Sequence, residues 1–202
     1  MKLRRTALAL TLMALTMIPS FSPFGVQVLA KNDLTKAQIQ QKFEQINSKY
    51  EIGQPFSKED ADFVKKYATP VNIKENSISP LSSETFDVSR YDSNNTVGGR
   101  MKGSVSASIG VITNSYSGDF TTTVLKGSVS SIKNELSHTA YGLIGSGGVG
   151  KVYSNTLSTT CKSSPCTLDE GENYSASVAY AYTSAKATLT YSNGSLGIVW
   201  PE

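Results

Sequence analysis

Arg100-Met-Lys-Gly-Ser-Val-Ser-Ala-Ser-Ile-Gly-Val-Ile112, followed after a polar break by Phe120-Thr-Thr-Thr-Val-Leu-Lys-Gly-Ser-Val-Ser-Ser-Ile132, is the stretch that decides the fold. Apolar and small hydroxylated residues alternate, and β-branched types dominate. Val105, Ala107, Ile109 and Val111 fall on one face, opposite Ser104, Ser106, Ser108 and Gly110. That is the period of paired strands with one dry and one wet face. Strands are expected at 100–112 and 119–132, joined by a turn at 114–118.

The same style continues to the C-terminus. Strands are expected at 85–90, 136–144, 151–157, 174–183, 186–191 and 196–200, and Asn193-Gly194 is a strong hairpin signal between the last two. Seven or eight short strands with regular turns predict a mainly β fold, an antiparallel β-sandwich or small barrel, over residues 85–202.

Before it, residues 31–70 read as a short α-helical hairpin. Thr35 and Gln38 form a candidate capping box, and Ile39, Phe43, Ile46 and Tyr50 recur as one stripe. Ser57 restarts the pattern with Glu59 and Asp60 in the first turn, Phe63, Val64 and Tyr67 on one side, and Thr69-Pro70 as the stop. Residues 71–84, rich in Ser, Asn and Pro, read as a linker where a precursor could be clipped.

Residues 1–30 read as a signal peptide: Lys2, Arg4 and Arg5, an apolar run at 7–18, and a small-residue cleavage site ending at Ala30. Secretion to the extracellular space is therefore expected, and the leader style with few cysteines suggests a bacterial source. Cys161 and Cys166 are expected to form a disulfide there.

The 202 residues carry a net charge of +3, and only 17% are charged. With basic residues scattered, nucleic acid is not an expected partner. His138 is the only histidine, so neither a zinc site nor a catalytic set assembles around it, and no cofactor is expected. Gly145-Ser-Gly-Gly-Val-Gly150-Lys151 has the spacing of a phosphate loop, but Val152 follows where Ser or Thr would hold magnesium. Asp169, Glu170 and Glu172 read as a solvated acidic turn. Tyr153, Tyr174, Tyr191 and Trp200 are candidate surface-binding aromatics, either for sugars or for a protein partner.

The resulting expectation is a secreted, non-enzymatic β module that binds an envelope polymer, glycan or protein. The alternative is a secreted antimicrobial or pore-forming effector made as a precursor. Only that second reading calls for membrane contact.

Overall fold

The computed structural model describes residues 34–71 and 79–201. The expected signal peptide lies outside them. The order of elements is α1 (Lys36–Lys49), α2 (Lys58–Tyr67), β1 (Thr69–Pro70), β2 (Ser79–Tyr91), β3 (Gly98–Ile109), β4 (Thr113–Lys126), β5 (Ser131–Ile144), β6 (Gly148–Cys161), β7 (Cys166–Ser175), β8 (Tyr180–Tyr191) and β9 (Gly194–Trp200).

Two antiparallel sheets face each other, as expected of a sandwich. One runs β2-β3-β4-β7. The other runs β6-β5-β8, with β1 and β9 sharing the far edge of β8. The alternation decides what lies between them. Met101, Val105, Ala107 and Ile109 of β3 and Phe120 of β4 meet Ile132 and Leu136 of β5 and Ala185, Ala187 and Leu189 of β8. Gly103 sits between Phe86 and Phe120 in register, and the two rings meet over it with centroids 5.7 Å apart. A Cβ there would come within 2.2 Å of the Asp119 carbonyl oxygen. Cys161 and Cys166 are bonded, tying the end of β6 to the start of β7 across the two sheets.

Several boundaries differ from the sequence reading. The β3–β4 turn falls at 110–112, leaving Val111 and Ile112 exposed, and 114–118 is strand. Asn114 explains the shift. It is buried, and its amide donates to the carbonyls of Ile112 and Ala176 while its oxygen accepts from the Gly110 N–H. The acidic segment 169–172 is not a turn but lies within β7, and 174–183 is not one strand, because the chain changes sheets at 176–179.

The two helices form where capping and the apolar stripe place them. Gln38 N–H donates to Thr35 Oγ1 and Asp60 N–H to Ser57 Oγ. Phe43, Ile46, Tyr50, Phe56 and Val64 then pack on the outer side of β5, β6 and β8, against Tyr141, Val149, Tyr180 and Tyr182. The loop between the helices adds to the β6 edge: Gly53 N–H donates to the Lys151 carbonyl and Phe56 N–H to that of Val149. Asp60, almost fully buried, holds Lys42 at 2.9 Å and Lys49 at 2.8 Å. Burial opposes its ionisation, but hydrogen bonds from Lys49, Lys42, Tyr50 and Ser57 outweigh that and hold it well below the usual carboxylate range.

Candidate functional site

The hydroxylated side of β3 faces outward, and its neighbours extend it into a polar surface four strands wide. Thr85 and Asp87 of β2, Arg100, Lys102 and Ser104 of β3, and Asp119, Thr121 and Thr123 of β4 line a shallow hollow of about 700 Å³. Arg100 pairs with Asp87 through two guanidinium nitrogens, and this pairing lowers the Asp87 pKa. Hydroxyls are linked across strands, Ser106 to Ser117 and Thr121 to Thr167, both at 2.8 Å. Asp119 and Asp169 are direct cross-strand partners. Like charges placed so cost stability, and the fold accepts that on this outer side. The arrangement offers hydrogen-bond donors and acceptors of both signs over a flat area, suited to a hydroxylated, extended ligand.

The opposite outer side is divided. The helical hairpin covers its aromatic end, and beside α1 a groove of about 230 Å³ remains between Glu44 and the hydroxyls of β5, β6 and β8.

His138 lies between the sheets with no exposure. Its Nδ1 is 2.8 Å from Thr183 Oγ1 and its Nε2 is 2.9 Å from the Tyr174 hydroxyl. Burial lowers its pKa to about 4, so the ring is neutral at pH 7. Tyr116 stacks on it at 4.5 Å and donates to Glu172 at 3.1 Å, while Asn155 also donates to Glu172, holding that carboxylate down. This is a satisfied polar core; the imidazole has no ionised partner among the groups it bonds.

The four candidate aromatics separate. Tyr174 is buried and Tyr153 half-buried, stacked on each other at 3.9 Å between the sheets, because both side chains alternate inward. Neither forms the surface platform expected of it. Tyr191 is half-buried and borders a rim with Asp92 and Leu196. Trp200 is half-buried against Phe86 at 5.2 Å and lines a cleft of about 180 Å³ with Tyr67, Glu84 and Thr183. Arg100, Lys102 and Asp119 were not singled out in the sequence, although the wet side of the 100–112 alternation already held the first two.

The remaining motifs find plain structural places. Gly145 and Gly147, both at positive φ, make the β5–β6 turn, and Lys151 is buried with Nζ donating to the Asn47 carbonyl at 2.8 Å. Among the described residues no group of three or more His, Cys, Asp or Glu side chains is placed to hold a metal ion, and no helix is long and apolar enough to cross a membrane. No family model, curated protein or solved structure matches the chain.

Proposed function

We propose that the chain is a secreted, non-enzymatic β module that binds a hydroxylated polymer or protein of the cell envelope or its surroundings through the outer side of β2-β3-β4-β7. The observation that carries this reading is the hollow of about 700 Å³ on that side, with its mixed charges and hydroxyls. Lys102 offers a cation and Asp119 and Thr121 acceptors, while Arg100, held on both sides of its fork by Asp87, is a fixed positive charge beside them. A binding role also suits His138, which is enclosed, bonded on both nitrogens and a weak base. Cosedimentation of the mature protein with insoluble envelope material tests the proposal. Retention in the pellet that salt and the Lys102→Ala substitution weaken is expected; a protein that stays wholly in the supernatant across envelope fractions contradicts it.

One observation favours the precursor reading instead: the hairpin covers an aromatic area formed by Tyr141, Tyr180 and Tyr182. A pore would also need the inward faces of β3 and β4, Val105, Ala107 and Phe120 among them, to leave the core. Dye release from liposomes after cleavage within 71–84 would favour this second reading, and intact liposomes would remove it.

A further inference from the structure

The sheet that carries the helices has an interrupted edge. β1 and β9 both pair with the far side of β8, but their ladders stop short of each other: Thr69 pairs with Ala181 and Trp200 with Ala185. Tyr182, Thr183 and Ser184 lie between them, with no strand of the described residues opposite on that side. β1 does not extend towards them because α2 ends at Tyr67, two residues before it, and β9 ends at Trp200, with Pro201 outside the strand. We propose that this gap and the cleft over it form a docking slot for an extended peptide segment with a basic side chain, which adds a short strand to β8 opposite Thr183.

The backbone sets the register. Residues of an antiparallel strand turn their N–H and C=O groups alternately to one neighbour and to the other. Val71 N–H donates to the Ala179 carbonyl, so Ala179, Ala181, Thr183 and Ala185 address this edge. β1 takes up Ala181 and β9 takes up Ala185, which leaves Thr183. Its hydroxyl lies 2.8 Å from His138 Nδ1, and the residue is half-buried and lines the cleft. A strand edge without a neighbour is a template for another chain. In strand addition the main chain supplies affinity and a pocket for alternate side chains supplies specificity.

The cleft is that pocket. It holds about 180 Å³, several times the ~30 Å³ share of one water, which suits a single side chain. A residue opposite Thr183 points to the same side of the sheet as Thr183, towards the cleft. Val105 and Ala107 supply apolar wall, and Trp200 is braced by stacking on Phe86 at 5.2 Å. Glu84 is the one charged residue of the lining. It follows a β-bulge, since Leu81 pairs with Ala107 but Glu84 with Val105, three steps against two. Bulges recur at sheet edges beside sites, where they re-aim a side chain. An apolar wall ending in a carboxylate matches the long stem and charged head of Lys or Arg, and a tryptophan ring attracts the same cation. An acidic side chain would meet Glu84 with like charge.

Trp200 is the only tryptophan of the chain, so its fluorescence reports the cleft directly. The whole mature protein is titrated with the end-capped tripeptide Val-Lys-Val up to about 10 mM, in the range of weak binding. Two comparisons are Val-Glu-Val and a Val-Lys-Val methylated at the lysine amide nitrogen, which cannot donate to the Thr183 carbonyl. The lysine peptide is expected to change Trp200 emission and to shift the amides of 181–185. Both comparison peptides should bind at least tenfold more weakly. Glu84 is exposed, so Glu84→Gln should keep the thermal midpoint while narrowing the preference for lysine over glutamate. The inference is overturned if the lysine peptide leaves Trp200 and those amides unchanged, if the methylated peptide binds as tightly, or if Glu84→Gln keeps the full preference. Cosedimentation with envelope material and its loss in Lys102→Ala are read separately, so this slot and the proposed function can fail independently.

Discussion

His138 and Thr183 face each other across neighbouring strands, with the imidazole Nδ1 2.8 Å from the threonine hydroxyl. With the Tyr174 hydroxyl on the other nitrogen, both ring nitrogens are bonded, and burial is what disfavours the charged ring. Burial lowers its pKa from 6.5 to about 4. Above pH 6.5 the ring is neutral whether folded or unfolded, and its full contribution is present. As pH falls from 6.5 towards about 4, the unfolded chain takes up a proton that the folded protein refuses, so stability is lost. By pH 5 the loss is about 2 kcal/mol. Urea midpoints at pH 7 and pH 5 measure it, and His138→Gln should flatten the difference.

The hairpin is held by charge as well as by packing. Asp60→Asn weakens two lysine contacts around a buried carboxylate. Hydrogen bonds to charged groups are worth about 1.5–3 kcal/mol, and Lys42 and Lys49 keep access to water after the change, so a loss of about 2 kcal/mol is expected. Hydrogen exchange should accelerate first in α1 and α2.

Phe43 stacks on Tyr182 at 3.9 Å and on Tyr141 at 6.1 Å, with about 1% exposure. Phe43→Ala leaves a cavity between helix and sheet and should cost about 3–5 kcal/mol, read from the urea midpoint. A loss below about 1 kcal/mol would mean that the hairpin adds little to the sandwich.

The disulfide closes a loop with a sequence separation of 5. So short a loop restricts the unfolded chain only modestly, and replacing both cysteines with serine should cost about 2 kcal/mol. Thermal unfolding of the double variant checks this, with the β6–β7 corner the first to loosen.

These features were unequally legible in the sequence. The alternation at 100–112 specified β3 and its wet side, because a period of two admits one burial pattern. Thr35, Gln38 and Ser57 specified both helix starts, because capping is local chemistry. The β3–β4 turn was misplaced because Asn114 looked like a turn residue, and its buried role depends on Ala176, which is 62 residues away. Tyr174 to Tyr182 kept one alternation through a crossing between sheets, and nothing local marked where the chain left one for the other. The neighbours of His138, the stacking of Tyr153 on Tyr174 and the groove between Glu44 and Tyr182 arise from pairings over tens of residues. Local pattern does not carry such pairings.

The most direct measurement of the central claim is amide chemical-shift mapping with soluble fragments of an envelope polymer that sediments the protein. Shifts concentrated at 85–89, 100–104 and 119–123 are expected, and the Arg100→Ala/Lys102→Ala variant should lose them. Shifts confined to other surfaces, or an unchanged map in that variant, would contradict it.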